Sequence, residues 1–526
     1  MTLKNKKAAG ADNIPSKILK DAVTVIVPPL TELFNCSINE THFPSKLKHA
    51  NVIPLFKKDS NTDKTNYRPI SILPSISKVF ERLMFRQITS YIDNIISPYL
   101  CGFRKGYSPQ HVLLRLKDIL NRSLDKNEMV GLVMMDLSKA FDCIPHDLLI
   151  AKLYAYGFDI KSLKLIYSYL KERKQRVKIN AEYSSWQEIL NGVPQGSVLG
   201  PLLFNIFIND LFFVVGKSDL HNYADDNTLS MADNNIENIT TTLNNDITKV
   251  NNWFQNNHLS LNQDKCQFLI IERPGNRRNG FAEINIRNKA ICETSKGKLL
   301  GITFDNNINM NDHIKLVCKK ASSKLYALAR ISKYLDEHKR KLLMKSFIIS
   351  QFNYCPLIWM YCQRKSNNLI NRIHERALRI AFVDYVSDFN TLLAKDDSVT
   401  IHERNIQALT LEIYKTVNGL NPSFMSNIFE LKCSTYPLRR KYLTYPKPNT
   451  VSYGTDTFGF KGSNLWGSLP DDIRNAKDVK NFKQKIVTHT QNICNCNICK
   501  LYIPNLGYID RSYYNATQLP SCIKLD

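Results

Sequence analysis

The sequence Tyr223-Ala224-Asp225-Asp226 places two adjacent carboxylates between two extended runs. Turn-prone residues at this point predict a tight hairpin that carries both acids at its tip. A second run, Gly131 to Met135, is continuously apolar and ends in Asp136. Such a run is typical of a strand that is buried on both faces. Two strands would therefore bring three carboxylates to one place.

Three carboxylates at one point suit a divalent cation. Hard oxygen ligands favour Mg²⁺, with Mn²⁺ as a substitute. Nucleotidyl transfer uses such ions to stabilise the attacking and the leaving oxygens. We therefore predict that Asp136, Asp225 and Asp226 hold metal. The four-residue motif alone also fits a solvated turn, so the interpretation depends on the partner strand and on the motifs around it.

The charge of the chain favours a polyanionic partner. Among 526 residues, 71 Lys and Arg stand against 47 Asp and Glu, which leaves a formal net charge of +24. Nucleic acid is the first expectation, and an anionic membrane surface is the second. The length and the hydrophobic fraction of 43% predict several subdomains with their own cores.

Several features predict a soluble intracellular protein. The 13 cysteines, an odd and scattered set, do not suggest a disulfide framework. The first ten residues lack the apolar core of a signal peptide. The longest apolar region, Val198 to Val215, is interrupted by polar residues, which indicates a buried helix and no membrane span. We expect no secretion and no membrane partner; nucleus and cytoplasm both fit.

Further motifs surround the three acids in a fixed order. Asn66 to Ile70 and Gly102 to Arg104 precede them, Lys139-Ala140-Phe141-Asp142 follows Asp136, Gly192 to Ser197 leads into Leu199 to Phe204, and Leu261 to Lys265 and Leu300 to Phe304 come last. This ordered set, from about residue 10 to residue 304, resembles the fingers and palm motifs of reverse transcriptases of non-LTR (LINE-type) retrotransposons. Within that family it resembles the Jockey-like group.

The resemblance implies an α+β right-hand polymerase fold. It would comprise fingers at residues 1–125, a palm with an antiparallel sheet at 126–305, and a helical thumb at 306–420. A basic linker and C-terminal extension would occupy residues 421–526. From Ile314 onward the sequence itself predicts a basic amphipathic helix, which suits a thumb that follows a nucleic-acid backbone.

The resemblance also assigns roles around the metal. Asp136 and Asp225 would hold the ions, and Asp226 would complete the set from a more peripheral position. Lys265 would act as general acid for the leaving pyrophosphate. Phe141 would pack under the sugar and exclude a 2′-hydroxyl, so that deoxynucleotides are selected. Its plainer alternative is a core ring.

Other candidate residues would bind the nucleotide. Arg68 precedes a proline that fixes the local chain, so its guanidinium could engage phosphate bidentately. Gln195 and Gly196 would place an amide and a bare backbone at the site, and Ser197 would cap the apolar helix that they start.

The implied function is RNA-directed DNA polymerisation by two-metal chemistry. The partners would be an RNA template, a DNA primer and deoxynucleoside triphosphates, with an oligomeric state that the sequence does not define. The usual N-terminal endonuclease is expected to be lacking. One rival is a catalytically inactive nucleic-acid-binding remnant of such an element, and another is an RNA-dependent RNA polymerase, which Phe141 disfavours.

A cysteine cluster near the C-terminus has only half of a zinc pattern. Cys496 and Cys499 form one C-x₂-C pair, with Cys494 beside them and His489 upstream, but no second pair follows at the usual distance. The cluster is left out of the predicted sites.

Overall fold

The computed structural model describes residues 8–275, 280–431 and 443–489, together with 496, 498, 502–503 and 507–508. The first half of the chain alternates helices with strands. Its elements are α1 (Ser16–Asp21), α2 (Val23–Asn39), β1 (Ala50–Phe56), β2 (Tyr67–Ile72), α3 (Ser75–Ile92), α4 (Pro109–Asp125), β3 (Met129–Met135), α5 (His146–Ala155), α6 (Ile160–Leu170), β4 (Arg173–Ile179), β5 (Glu182–Tyr183), β6 (Gln187–Ile189), α7 (Gly200–Ile208), β7 (Asp219–Tyr223), β8 (Asp226–Asp233) and α8 (Ile236–Asn256).

The second half begins with strands and then becomes helical. Its elements are β9 (Gln267–Ile271), β10 (Glu283–Ile286), β11 (Lys289–Cys292), β12 (Lys296–Leu299), β13 (Ile302–Asp305), α9 (Asn311–Ile331), α10 (Glu337–Leu343), α11 (Pro356–Trp359), α12 (Arg364–Phe382), α13 (Phe389–Lys395), α14 (Ile401–Val417), β14 (Glu430–Leu431), β15 (Leu443–Thr444), α15 (Phe458–Ser468), α16 (Asp471–Arg474), α17 (Val479–Thr488), β16 (Tyr502–Ile503) and β17 (Gly507–Tyr508). No described helix is both long and apolar enough to cross a membrane.

A four-stranded antiparallel sheet in the order β7-β8-β3-β9 lies at the centre of the fold. All seven residues of β3 are buried, as its unbroken apolar sequence predicts. Successive side chains of a strand point to opposite faces, and here each face belongs to a different core. Val133 and Met135 pack with α5, α7 and α8, whereas Leu132 and Met134 pack with α4 and the later helices. The α+β fold with an antiparallel palm sheet is therefore confirmed.

Gly131 allows the long helix α8 to lie against this sheet. A Cβ atom at Gly131 would come within 2.5 Å of Ile239 Cγ2 and 2.7 Å of Leu243 Cδ1. Both side chains are completely buried on α8. The glycine in the predicted strand thus marks a close helix-to-sheet approach.

A second sheet joins strands that are distant in sequence. β2 pairs with β1, β1 pairs in parallel with β4, and β5 and β6 both pair with β4. The hairpin of β1 and β2 lies before residue 125, and β4 to β6 lie after it. This sheet therefore spans the boundary that the sequence predicts between fingers and palm.

The helices after residue 306 include the predicted basic amphipathic helix. Along α9 the buried residues Ile314, Cys318, Ala321 and Leu325 recur at spacings of four, three and four. The lysines that alternate with them are mostly exposed, among them Lys315, Lys319 and Lys320. The apolar stripe packs against α12, and the charged face remains open.

The C-terminal helices α15 and α17 pack on α14, and α15 also contacts α4. Hydrogen bonds fix this arrangement at both ends of α4. Near the start of the helix, His111 Nε2 lies 2.6 Å from Glu412 Oε1. At its end, Asp125 accepts the N–H groups of Asn449 at 2.9 Å and Thr450 at 2.7 Å. The basic segment from Tyr436 to Lys441 lies outside the described residues.

Candidate active site

The hairpin of β7 and β8 presents the paired acids at its tip. Tyr223 pairs with Asp226, which leaves Ala224 and Asp225 as a two-residue turn. Ala224 adopts a left-handed φ of 57°, the conformation that such tight turns require. The amide of Asn222 donates to Ala224 O at 2.8 Å, and that of Asn227 donates to Asp225 O at 3.1 Å. Side chains on both strands therefore hold the turn in a fixed shape.

The third acid follows the neighbouring strand. The antiparallel register pairs Met135 with Asn227, so Asp136 leaves β3 beside Asp226 at the tip of the hairpin. The carbonyl of Asp136 accepts the Asn262 N–H at 2.8 Å, which anchors the end of the strand to the segment before β9. The structure thus brings together the three carboxylates that the sequence predicts.

Burial and mutual repulsion both disfavour the ionised form of Asp225 and Asp226. Withdrawal from water, followed by the charges of Asp225 and Asp136, raises the pKa of Asp226 to about 6. Withdrawal from water is also the main cause of a raised pKa at Asp225, with Asp136 adding to it. Like charges in close proximity disfavour ionisation. A cation among these carboxylates would remove that penalty.

Lys265 supplies one cation directly. Its Nζ lies 3.1 Å from Asp136 Oδ2. Within the described residues, no group of three or more His, Cys, Asp or Glu side chains is arranged to bind one metal ion. The donor chemistry nevertheless fits a divalent cation, because the acids at the tip offer hard oxygen ligands and excess negative charge.

The loop before α7 contacts β2 of the second sheet and the segment that follows Asp136. Gln195 O accepts the Ser71 N–H at 2.7 Å, and the Gln195 amide donates to Asp142 Oδ1 at 3.0 Å. Gly196 has a φ of +121°, and a Cβ atom there would lie 2.5 Å from Ser71 O. A side chain is therefore excluded at this position.

The predicted start of the following helix was too early, because its cap was placed at Ser197, two residues before the observed cap. Gln195 and Gly196 are in the loop, and α7 begins at Gly200 with Leu199 as its N-cap. The Ser197 hydroxyl still accepts the Gly200 N–H at 3.0 Å. It also donates to Pro194 O at 2.8 Å, so this serine closes the loop before the helix begins. The loop continues to Leu199 because Glu81 accepts the N–H groups of Val198 and Leu199.

Phe141 lies between the acids and α7. Its half-buried ring stacks on Phe204, with centroids 4.4 Å apart, and meets Phe103 edge-on at 5.7 Å. The carbonyl of Phe141 accepts the Val193 N–H at 2.9 Å. The ring is thus fixed from two sides, and its backbone is attached to the loop that carries Gln195.

Arg68 and Lys57 provide the positive side of the site. Leu55 pairs with Arg68 across β1 and β2, and Lys57 follows β1 directly. Both cations act against the raised pKa of Asp225, which brings them within electrostatic reach of the acids. Arg68 is exposed. An exposed guanidinium opposite carboxylates is well placed for an anionic ligand.

Sequence reasoning missed the contacts that support the hairpin of β7 and β8. A Cβ atom at Gly102 would lie 2.4 Å from Ala224 N, so this glycine allows the turn to approach. The amide of buried Asn205 on α7 donates to Gly102 O at 2.6 Å. The Gly102-Phe103-Arg104 motif is a usable signal for this packing. Arg104 itself faces the protein, donating to Asp93 at 2.9 Å.

The cysteine cluster is only partly described. Cys496 Sγ lies 3.3 Å from His402 Nε2 at the start of α14. Cys494 and Cys499 lie outside the described residues.

An antiparallel sheet with three acids at one end, within electrostatic reach of Arg68 and Lys57, is an arrangement typical of nucleotide-polymerising enzymes. Residues 56–304 match the family described as reverse transcriptase (RNA-dependent DNA polymerase). This part of the chain is therefore a reverse transcriptase domain of the RNA-directed DNA polymerase class, as the motifs predict.

Three of the relatives belong to mobile elements of Drosophila melanogaster. The probable RNA-directed DNA polymerase from transposon BS is 28% identical over 71% of this chain and 42% of its own length. The polymerase from mobile element jockey is 28% identical over 59% of this chain and 34% of its own. The probable polymerase from transposon X-element is 26% identical over 68% and 40%. The predicted kinship with non-LTR elements of the Jockey-like group is thus confirmed, and the chain spans less than half the length of these relatives.

Among solved structures, telomerase from Candida albicans in complex with a fragment of telomeric RNA gives a TM-score of 0.37. It is 12% identical and covers 70% of each chain. That likeness is too distant to bear on function.

Proposed function

We propose that this chain extends a DNA primer on an RNA template, using deoxynucleoside triphosphates. The observation that carries the proposal is the opposition of charges at one site. Asp136, Asp225 and Asp226 gather at the end of the palm sheet, and Arg68 and Lys57 face them from the other sheet. Reverse transcriptases generally use divalent metals, and the match to that family supports metal-dependent chemistry here.

In this proposal the three carboxylates hold Mg²⁺, or Mn²⁺ in its place. The metal would stabilise charge on the attacking primer oxygen and on the leaving pyrophosphate. Asp225 and Asp136 would bind it most directly, and Asp226 would complete the set. The raised pKa values of Asp225 and Asp226, caused mainly by withdrawal from water and then by neighbouring carboxylates, support this assignment, because a bound cation would favour the ionised form of both acids.

The surrounding residues would bind and select the nucleotide. Arg68 would grip the triphosphate, with Lys57 beside it. Phe141 would block a 2′-hydroxyl, and the fixed stack of its ring on Phe204 supports a rigid wall. Gln195 and Gly196 would line the same pocket. Lys265 would separate from Asp136 and then protonate the leaving pyrophosphate.

The basic face of α9 would follow the template and primer backbones. Its exposed lysines form a positively charged surface that would bind the phosphates of a nucleic acid of any base sequence. Binding of the RNA–DNA duplex should therefore weaken steeply as salt is raised.

The test is extension of a DNA primer on an RNA template with Mg²⁺. Wild type should incorporate deoxynucleotides and discriminate against ribonucleotides, and Asp225→Ala should abolish incorporation. Asp233→Ala, at the far end of β8 from this turn, is the matched control and should retain activity. Loss of wild-type activity on adding EDTA, with recovery on adding Mg²⁺, would support the metal.

Other outcomes favour the rival functions. Wild type that binds the duplex at low salt but incorporates nothing would favour an inactive remnant. Wild type that prefers ribonucleotides would favour an RNA-dependent RNA polymerase.

A further inference from the structure

Glu81 is a completely buried carboxylate that the proposed chemistry does not use, and it contacts the loop that carries Gln195 and Gly196. It lies on α3, between the motif of Asn66 to Ile70 and the motif of Gly102 to Arg104, and its exposure is 0%. A buried carboxylate is costly unless hydrogen bonds compensate for the lost water. Its contacts therefore show which part of the structure it stabilises.

Those contacts lead to the loop of residues 192–199. Glu81 Oε2 accepts the Val198 N–H at 2.6 Å and the Leu199 N–H at 3.2 Å. Its Oε1 accepts the hydroxyl of buried Ser77 at 3.1 Å. The two N–H groups directly precede α7, where the helix dipole favours a negative charge. One oxygen thus fixes the end of the loop, and the other is held by the carboxylate's own helix.

The same loop carries the residues proposed to contact the nucleotide. Gln195 and Gly196 lie two to three positions before Val198 and touch β2 at Ser71. At its other end, Val193 is bonded to the carbonyl of Phe141. A shift of the loop would therefore move both the Gln195 amide and the ring that faces the sugar.

We infer that Glu81 is a positioning residue for nucleotide selection. Through Val198 and Leu199 it fixes the 192–199 loop against β2, and so sets the space between Gln195 and Phe141. Tyr169 is consistent with this, because burial and then the charge of Glu81 raise the pKa of its phenol beside the same loop. The inference rests on the proposed polymerase function and adds a residue to it.

The test compares Glu81→Ala with a matched variant. Asp246 is another buried carboxylate that anchors a loop, accepting N–H groups of Gly216, Lys217 and Ser218 at 2.9 to 3.0 Å, but it lies on α8, outside the nucleotide site. Asp246→Ala thus controls for the loss of a buried anchor. Ser77→Ala is a milder second variant, because it removes only the bond to Oε1.

Glu81→Ala should raise KM for deoxynucleotides about tenfold, the effect of losing one ionic hydrogen bond. Glu81→Ala should also reduce the selectivity for deoxy- over ribonucleotides, and the Kd for primer–template should be unchanged. Ser77→Ala should shift both values in the same direction by less. Asp246→Ala should leave KM and selectivity unchanged even where it lowers the melting temperature.

Nucleotide-dependent stabilisation of the protein–primer–template complex in Ca²⁺ provides a readout without turnover. Wild type that shows stabilisation but no incorporation would overturn the polymerase proposal alone. The role of Glu81 would then be tested by comparing the nucleotide-dependent stabilisation of the variants with that of wild type. If Glu81→Ala fails to fold, Ser77→Ala decides. Equal KM and selectivity in Glu81→Ala and wild type would overturn the inference, as would the same equality in Ser77→Ala where that variant decides. Wild type that shows no nucleotide response would also overturn it.

Discussion

Lys265 Nζ lies 3.1 Å from Asp136 Oδ2, so the proposed general acid is paired with a proposed metal ligand. Both side chains are partly exposed, at 65% and 36%, and exposed ion pairs contribute little to stability. The pair can therefore open without a large penalty. In the proposed cycle the pair must open, because Asp136 would bind the metal and Lys265 would interact with the leaving pyrophosphate.

Replacing Lys265 by Met should lower kcat about a hundredfold, the lower end of the effect of a positioned acid. Affinity for primer–template should change little. Single-turnover incorporation measures the chemical step, and Lys289→Met is the control. Lys289 also forms an ion pair, but its partner is Asp264, at 2.6 Å. A Lys265 variant with the kcat of the Lys289 variant would exclude the general-acid role.

The elements that the sequence predicts well are those with unmistakable patterns. β3 has an uninterrupted apolar sequence, and the turn after Tyr223 has few alternatives, so both were predicted correctly. The cap of α7 was predicted at Ser197, two residues early, because a local cap signal does not reveal that distant Glu81 accepts the N–H groups of Val198 and Leu199. Contacts between residues more than a hundred positions apart decide that boundary.

The same limit applies to the site. The three acids and Arg68 could be found because they lie in or beside short motifs. Asn205, which supports the catalytic turn through Gly102, lies within a helix that reads as plain core. Its role depends on a pairing of helix and loop that no local pattern encodes.

Asp226→Asn should stabilise the metal-free chain at neutral pH. The pKa of Asp226 is about 6 in the folded chain, against an ordinary value of 3.8. Between these values the folded state holds a proton that the unfolded state has released, so the stability contributed by this group falls as pH rises. The variant should therefore melt about 1–2 °C higher at pH 7.5 in EDTA. The shift is small because the carboxylate, although its neighbours withdraw it partly from water, still lies at the surface, where solvent screens its charge.

That difference should shrink as pH falls through 6 and vanish near pH 4. Thermal melts at several pH values measure it, with Asp233→Asn as the control at the far end of β8. A gain in stability that stays constant from pH 7.5 to pH 4 would contradict the raised pKa.

Phe141→Ala should increase ribonucleotide incorporation about a hundredfold relative to deoxynucleotides, because the steric block is removed. Phe141→Tyr keeps the ring and should keep the selectivity. Phe103→Ala removes the neighbouring edge contact and tests whether any aromatic loss has the same effect. Competition between the two nucleotide types on one template measures the ratio. Equal selectivity in Phe141→Ala and wild type would leave Phe141 as a core ring.

Arg68→Ala should raise KM for deoxynucleotides about tenfold to a hundredfold, the range expected for a charged hydrogen bond to phosphate. Arg68→Lys should recover only part of this loss, because an ammonium cannot bind bidentately. Lys58→Ala is the control, since Lys58 is an exposed neighbour paired with Asp59 at 3.8 Å. Steady-state kinetics would refute the assignment if the Arg68 and Lys58 variants gave the same KM.

Asp125→Ala should loosen the C-terminal helices from α4. Its carboxylate accepts the N–H groups of Asn449 and Thr450 and the Thr450 hydroxyl, so the substitution leaves those donors without their partner. The expected loss is about 1–3 kcal/mol in the free energy of unfolding. Proteolysis should cut the chain between residues 431 and 458 faster than in wild type. Thr455→Ala, which removes a bond only to Val451, is the control. Unchanged cleavage in Asp125→Ala would mean that the packing of α14, α15 and α17 holds this region without Asp125.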